Sequence, residues 1–238
     1  MNILLTNDDG YNQKGILLLK EILKEYGDVY LCAPHYHQSG ASMSFSLGKG
    51  FTIRKHDEHT YSIDGSPVDV VLLGIQVLPV KFDLVISGCN NGHNISYDTM
   101  YSGIIGAALE ALNQGIPSIA FSTDYDHFEI VEKEIRKVLD LIFNQKLYSN
   151  NYVLNVNFPK KEFNESKGIK LTTQIFKKDQ FYYEIKDGLY YTDRYENLVS
   201  EDKNSDVHAI ANGYISICPI TNSYFHQEIY EKLKGTID

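Results

Sequence analysis

The sequence predicts an α/β fold in which a mostly parallel sheet carries helices on both faces. Short apolar runs of strand length alternate with longer amphipathic runs through residues 2–159. The apolar runs end in turn-prone or polar segments, and one helical run begins with a complete capping signal. A strand–helix–strand rhythm of this kind is typical of parallel strands joined by crossover helices.

The first two strands and the helix between them are the clearest elements. Residues 2–6 are an apolar run that ends in a turn-prone Asn-Asp-Asp-Gly segment, which is typical of a buried strand. Residues 14–26 have apolar side chains at helical spacing, with a glycine just beyond them. Residues 28–33 are a second strand closed by Pro34, and a polar loop rich in Ser and Gly follows over 35–50.

The next helix is marked at its start. Ser66 is in the N-cap position, Pro67 is the first helical residue, and Asp69 is placed to complete a capping box. The other predicted core strands are 51–54, 61–63, 82–87, 116–122 and 152–157, and the other predicted core helices are 103–113 and 130–143.

After Pro159 the composition shifts toward Lys, Asp, Glu and Tyr. The elements predicted in this part are a hairpin around 180–192, a strand at 213–218 and a helix at 223–234. We therefore expect a single domain with a catalytic core over 1–159 and an extension over 160–238. The tyrosine-rich part of the extension is either a solvated hairpin or a subunit interface, where Tyr is favoured.

Charge and composition argue against several classes of function. Across 238 residues, 22 basic and 31 acidic side chains give a net charge of −9. This negative charge argues against electrostatic binding of nucleic acid or anionic membranes by the chain as a whole. The longest apolar stretch, 70–80, is too short for a membrane span, and acidic residues interrupt any signal-peptide pattern at the start. Three widely spaced cysteines indicate neither a disulfide scaffold nor structural zinc. We expect a cytoplasmic protein.

Polar clusters follow the predicted strands at their carboxyl ends, where ligands bind in parallel sheets. Asp8 and Asp9 follow the first strand, Ser39 follows the second, and the segment 87–94, SGCNNGHN, follows a third. Two adjacent carboxylates repel each other unless one is protonated or a cation lies between them. With hydroxyl and amide oxygens nearby, such a pair favours Mg²⁺ or Mn²⁺ over zinc. The alternative interpretation is a plain turn before a capped helix.

The start of the helix 103–113 is a second candidate site. Ser102 and Gly103 lie where the first N–H groups of the helix point outward, an arrangement that binds anions. The alternative interpretation is an ordinary Ser N-cap on a helix packed against the sheet.

Other reactive side chains give weaker indications. His93 lies in the segment 87–94 and is a candidate for contacting substrate. His35 and His37 have a spacing seen in metal sites, but in so polar a loop we expect them to be solvent-exposed or hydrogen-bonded. For Cys89, a packing role fits its strand-end context better than a nucleophilic one.

Taken in order, these motifs resemble those of the stationary-phase survival protein family, SurE. The resemblance rests on ILLTNDDG at 3–10, KGI at 14–16, APHYHQSGAS at 33–42, DGSPVDVV at 64–71, DLVISGCNNGHN at 83–94, YSGIIGAALEALNQGIPSIAFS at 101–122, NVNFP at 155–159 and SDVHAIANGYISICPIT at 205–221. The ordered set runs from the first strand nearly to the last helix, so it is far more specific than NDDG alone.

The resemblance implies a Rossmann-like three-layer core with a C-terminal extension, hairpin and helix, that exchanges between subunits of a dimer or tetramer. It implies a phosphatase for nucleoside 5′-monophosphates, with 3′-nucleotides and short polyphosphate as further substrates of some members. It assigns one divalent cation per subunit, Mg²⁺ or Mn²⁺, to Asp8, Asp9, Ser39 and Asn90, with the two aspartates catalytic. It assigns phosphate or substrate contacts to Gly40, Asn91, Asn94, Ser102 and Gly103.

One departure from the family lies at YSGI, where Ile104 replaces the usual Thr and removes a hydroxyl but keeps its backbone N–H. Two other functions stay open. Phosphoacceptor receiver domains also carry paired aspartates after the first strand, although they are much shorter chains. Zinc-dependent amidohydrolases also carry an aspartate pair near the start, although with His ligands that NDDG lacks. The preferred base, the physiological metal, the nucleophile and the choice between dimer and tetramer stay open as well.

Overall fold

The computed structural model of the chain describes residues 1–176, 180–195 and 198–236. Its strands are β1 Asn2–Thr6, β2 Asp28–Pro34, β3 Ile53–Lys55, β4 Thr60–Ile63, β5 Leu84–Asn91, β6 Ser118–Thr123, β7 Val153–Asn157, β8 Ile169–Leu171, β9 Gln180–Lys186, β10 Leu189–Tyr195 and β11 Ile215–Ile220. Its helices are α1 Lys14–Leu23, α2 Pro67–Val77, α3 Asp98–Tyr101, α4 Gly103–Asn113, α5 Phe128–Asn144, α6 Asp206–Ala211 and α7 Gln227–Leu233. Within these described ranges, no helix combines the length and the apolar character needed to cross a membrane.

Nine of the described strands form one sheet in the order β3-β4-β2-β1-β5-β6-β7-β11-β8. The six strands from β4 to β7 run parallel, while β3 and β11 pair antiparallel with the two ends of this parallel block. From the central β1 the chain moves outward to β2 and β4, returns to β5, and then moves outward the other way. The carboxyl ends of β1 and β5 therefore flank the point where the strand order reverses, which is the usual ligand crevice of such sheets.

Helices cover both faces of this sheet. On one face α1 and α5 pack against Ile3 and Leu5 of β1, and on the other face α2 and α4 pack against Leu4. Successive side chains of a strand point to opposite faces, so a central strand covered on both sides must be apolar throughout. The predicted α/β fold with a mostly parallel sheet and three layers is confirmed.

Several predicted elements agree closely with the structure. Helix α4 covers the predicted residues 103–113. Helix α2 begins with the predicted capping box, in which the Asp69 N–H donates to Ser66 Oγ at 3.1 Å and the Ser66 N–H donates to Asp69 Oδ2 at 3.0 Å. Helix α1 ends at Leu23 instead of residue 26, because the Tyr26 N–H turns back to the Leu23 carbonyl at 2.9 Å.

Other predicted boundaries were wrong. The strand predicted at 82–87 starts two residues later and continues to Asn91, and the strand predicted at 51–54 lies at Ile53–Lys55. The closing helix is shorter than predicted and begins at Gln227. Elements α3, β8 and α6 had no predicted counterpart, because runs this short show no periodic pattern in the sequence.

The part of the chain after Pro159 both completes the core and projects from it. Strands β8 and β11 belong to the main sheet, and α6 buries Val207 and Ile210 against Ile95. Strands β9 and β10 form a separate antiparallel hairpin, which confirms the predicted one and is called the hairpin below. None of the side chains of α7 is buried. The division of the chain at residue 159 stays a prediction.

Candidate active site

A cavity of about 570 Å³ opens at the carboxyl ends of β1 and β5. It is lined by eight of the nine site residues predicted from the sequence: Asp8, Asp9, Ser39, Gly40, Asn90, Asn91, Asn94 and Ser102. The ninth, Gly103, lies behind Asp8 at the start of α4. The structure thus brings together residues from four loops that are far apart in the sequence.

Asp8 is the most unusual group of the cavity. Its side chain is buried, and its Oδ1 has no hydrogen-bond partner among the described residues. Burial and, to a lesser degree, the charge of Asp9 raise the pKa of Asp8 to about 7, against the opposing effect of the Ile104 and Gly103 N–H groups. An unpartnered buried carboxylate oxygen is costly unless a proton or a cation pairs with it.

Asp9 is less buried and has partners on two sides. Its Oδ2 accepts a long hydrogen bond from the Asn91 N–H at 3.4 Å, and His37 Nδ1 lies 3.5 Å from its Oδ1. Burial raises the pKa of Asp9, while the Asn91 N–H and His37 lower it. His37 is therefore a neighbour of the acidic pair that the sequence analysis did not place in the site.

The two uncharged oxygen donors predicted for a cation line the same cavity. The Asn90 side-chain amide donates from Nδ2 to the Gly92 carbonyl at 2.8 Å, which leaves its Oδ1 available to a ligand. Ser39 contributes its hydroxyl from the loop after β2. Two carboxylates, a hydroxyl and an amide oxygen are the ligand types that Mg²⁺ and Mn²⁺ prefer, so this donor set fits such an ion.

The start of α4 faces Asp8. A Cβ on Gly103 would lie 2.8 Å from the Asp8 Cβ, so only glycine allows the helix to approach the carboxylate this closely. The Ser102 hydroxyl caps the helix by accepting the Ile105 N–H at 3.2 Å, which confirms the predicted cap. The first N–H groups of α4 therefore have partners already, and the assignment of Ser102 and Gly103 to phosphate stays a prediction.

Ile104, at which the sequence departs from the motif that the resemblance implies, directs its side chain into the core. It is fully buried in an apolar cluster with Ala108 and Ala120. Its contribution to the site is the backbone N–H that lowers the pKa of Asp8.

Asn94 is held by a buried polar network. Its N–H donates to Asn157 Oδ1 at 2.8 Å, and its side-chain amide donates to Ser122 Oγ at 2.8 Å. Its carbonyl accepts from Asn155 Nδ2 at 2.8 Å and from Asn157 Nδ2 at 3.1 Å. Asn155 and Asn157 belong to the NVNFP motif, but the sequence predicts no site role for either of them, because their contacts with Asn94 join residues more than 60 positions apart.

Asn91 fixes the loop that follows β6. Its amide donates to Asp126 Oδ1 at 3.2 Å, and its Oδ1 accepts the Asp126 N–H at 2.7 Å. The same loop lays the ring of Tyr125 over Gly92, where a Cβ would lie 3.4 Å from Tyr125 Cζ. Asn91 thus holds the loop after β6 in place at the edge of the cavity, which is called the rim below. The direct substrate contact predicted for Asn91 and for Gly40 stays a prediction.

The remaining reactive side chains have structural partners. His93 lines the cavity, its Nε2 donates to the Phe158 carbonyl at 2.9 Å, and burial lowers its pKa. His35 and His37 do not converge, because His35 Nδ1 bonds with Ser62 Oγ at 2.9 Å while His37 faces Asp9. Cys89 is fully buried in the core and burial raises its pKa, so the predicted packing role fits the structure.

The cavity also has lining residues that the sequence analysis did not consider as part of a site. Asp98, Tyr101 and Tyr125 line it from the core, and Phe181 lines it from the hairpin. The contribution of Phe181 depends on how the hairpin lies relative to the core, which no local sequence signal reveals.

The chain is similar over its length to proteins of one family. Residues 3–180 match the family described as Survival protein SurE. The chain is 35% identical over 253 residues to the 5′-nucleotidase SurE of Hyphomonas neptunium, with 98% of each chain covered. It is 37% identical over 243 residues to the 5′-nucleotidase SurE of Aquifex aeolicus, with 97% of this chain and 96% of the relative covered. The crystal structure of the Aquifex aeolicus SurE protein matches with a TM-score of 0.87 at 34% identity and covers 100% of both chains.

Proposed function

The chain belongs to the SurE family, and from this premise we propose that it hydrolyses nucleoside 5′-monophosphates to the nucleoside and inorganic phosphate. The observation that carries the proposal is the buried Oδ1 of Asp8, which has no hydrogen-bond partner in the part of the chain that the structure describes, beside Asp9 at the point where the strand order of the sheet reverses. Relatives of similar length and about one-third identity are named 5′-nucleotidases. We extend the proposal to 3′-nucleotides and short polyphosphate as further substrates of the same site.

Asp8, Asp9, Ser39 and Asn90 would hold one divalent ion per subunit, Mg²⁺ or Mn²⁺. When bound, such an ion supplies positive charge that offsets the carboxylate pair and polarises a phosphoryl oxygen. The acidic net charge of the chain is compatible with a phosphate substrate on this basis, because a bound cation replaces a basic patch.

The protein's own groups would orient the phosphate. Burial of Asp8 and the Gly103 and Ile104 N–H groups fix that carboxylate in one place. Asn94, held by its amide network, and Ser102, at the start of α4, line the same cavity as Asp8. Preorganised polar groups of this kind stabilise charge that develops on phosphoryl oxygens without reorganising during the reaction.

We also propose that the hairpin and α7 join subunits into a dimer or tetramer. Both elements carry large exposed apolar side chains: Tyr183, Ile185, Tyr190 and Tyr191 on the hairpin, and Ile229, Tyr230 and Leu233 on α7. Large apolar side chains exposed in groups of this kind mark protein interfaces.

The proposed activity is tested by phosphate release from nucleoside 5′- and 3′-monophosphates and polyphosphate, with Mg²⁺, Mn²⁺ and Zn²⁺ in turn. We expect release from 5′-monophosphates with Mg²⁺ or Mn²⁺ and none after chelation. Activity restored by Zn²⁺ alone, with amide substrates, would favour the amidohydrolase alternative. Stable phosphorylation by acetyl phosphate without turnover would favour the receiver alternative.

A further inference from the structure

Three aromatic rings from three separate elements surround the mouth of the acidic cavity. Tyr101 ends α3, Tyr125 lies in the loop after β6, and Phe181 lies near the start of β9. Their exposed fractions are 60%, 62% and 55%. The cavity that contains Asp8 is thus also lined by three aromatic rings, called the aromatic wall below.

Within the described residues, the rings of Tyr101, Tyr125 and Phe181 stack on no other ring, and neither tyrosine hydroxyl has a hydrogen-bond partner. Exposed rings elsewhere, such as Phe45, are unstacked as well, so what distinguishes these three is that they line the same cavity. Exposed apolar surface grouped around a polar cavity marks a ligand site.

The ring of Tyr125 is held at the rim by its packing and by hydrogen bonds of its loop. Its ring lies against Gly92, at a distance where any Cβ would touch it, and its loop is tied to the rim by the two hydrogen bonds between Asn91 and Asp126. A ring fixed in this way loses little conformational freedom when a ligand stacks on it, so the stacking energy is available for binding.

We propose that Tyr101, Tyr125 and Phe181 form a stacking site for the nucleobase, so that the hairpin of each subunit contributes to substrate recognition as well as to assembly. The inference rests on the proposed function, since it places the phosphate end of a nucleotide at Asp8 and the base at the aromatic wall. Aromatic stacking accepts every base because each has a flat π-face. The site therefore selects phosphate esters that carry an aromatic base, and it favours purines because their faces are larger.

The experiment compares two substrates that differ only in the base, adenosine 5′-monophosphate and ribose 5-phosphate, in the full-length enzyme. Tyr125→Leu and Phe181→Leu keep apolar volume but remove the rings, and Phe45→Leu, at a similarly exposed ring outside the cavity and outside the hairpin, is the matched control. We expect each cavity variant to lower kcat/KM for the nucleotide by about 5- to 150-fold, since stacking is worth about 1–3 kcal/mol per base. Turnover of ribose 5-phosphate should stay within about twofold, and Phe45→Leu should change neither substrate.

Inhibition by the two products supplies a second readout, because it compares binding of the nucleoside with binding of inorganic phosphate. Adenosine should inhibit less strongly in the two cavity variants, while inorganic phosphate should inhibit as in the unaltered protein. Variants that lose both substrates in parallel, or that lose neither, would overturn the stacking site and leave the proposed function intact. An unaltered protein that neither hydrolyses nor binds nucleoside monophosphates would overturn both.

Discussion

Two regions of this protein break the usual rule of burial in opposite directions. At the ends of β1 and β5 a carboxylate is buried with one oxygen that has no partner among the described residues, while on the hairpin and α7 aromatic and aliphatic side chains are exposed. A buried charge is costly without a partner, and large apolar groups grouped on a surface are costly in water. These two exceptions are the observations behind the two proposals made above, a cation and substrate at the acidic cavity and a second subunit at the hairpin.

The two regions also differ in what holds them in place. The rim is fixed by short connections and buried hydrogen bonds, such as the amide network around Asn94 and the contact of Gly103 with Asp8. The hairpin is tied mainly by pairing of its own two strands. We therefore expect substitutions at the rim to act on chemistry, and substitutions on the hairpin to act on assembly and base recognition.

The largest effect is expected from Asp8→Asn. The substitution removes a carboxylate that we propose as a cation ligand. A bound cation stabilises the charge of the transition state by several kcal/mol, so its loss should lower kcat/KM roughly 10³-fold. Steady-state phosphate release measures this fall. Asp28→Asn, an exposed carboxyl at the opposite end of β2, is the control and should keep full activity. An Asp8→Asn protein with full activity would show that the rim is not where the chemistry occurs.

Asn157→Ala should have the second largest effect. It removes two hydrogen bonds that hold Asn94, and loss of such a supporting group costs about 10- to 100-fold in activity at metal sites. Because Asn157 is not a proposed ligand, the affinity for Mn²⁺ should stay unchanged while kcat/KM falls. Parallel measurement of Mn²⁺ binding and kinetics separates this positioning role from general loss of structure, which would lower both.

The pH dependence of stability tests the buried carboxylate directly. The pKa of Asp8 is about 7 in the folded protein and near 4 in an unfolded chain. Between about pH 4 and pH 7 the metal-free folded protein therefore holds a proton on Asp8 that the unfolded chain has lost. The contribution of Asp8 protonation to the free energy of unfolding is complete below about pH 4 and is lost as the pH rises through 7. Thermal unfolding of the metal-free protein should give a Tm that falls from pH 5 to pH 8, and Asp8→Asn should flatten this fall.

Replacing residues 180–195 with a short Gly-Ser linker should change assembly more than chemistry. We expect the core to stay folded, because the described hairpin strands pair with each other and not with the main sheet. Light scattering should report a smaller assembly than that of the full chain, and ribose 5-phosphate should still be hydrolysed. An unchanged mass of the assembly would show that the hairpin does not contribute to the subunit interface.

Cys89→Ala should have the smallest effect. The thiol is buried in the core, so its removal should lower the free energy of unfolding by about 1 kcal/mol. The kcat should stay unchanged within experimental error. Steady-state kinetics measures kcat, and urea unfolding measures the free energy of unfolding of the same variant. A large loss of kcat with unchanged stability would instead favour a role for the thiol in catalysis.

The parts that sequence reasoning identified are those set by local chemistry. Helix α2 has its capping box in the sequence, and Asp8 and Asp9 follow a strand whose apolar character is plain. Burial of the acidic pair depends on how closely α4 approaches, through Gly103, which only the packed structure reveals. The partnership of Asn157 with Asn94 requires two strands and a loop to be brought together, and the contribution of Phe181 requires the placement of the hairpin. These long-range contacts have no signature in a single sequence.

We propose that Asp8 Oδ1, which has no hydrogen-bond partner among the described residues, binds a divalent cation. Titration of the metal-free protein with Mn²⁺, followed by electron paramagnetic resonance, measures this binding. We expect one bound ion per chain at pH 8, weaker binding as pH falls below about 7 because the proton competes for Asp8, and no binding at this site in Asp8→Asn. Equal Mn²⁺ binding by the unaltered protein and Asp8→Asn would contradict it.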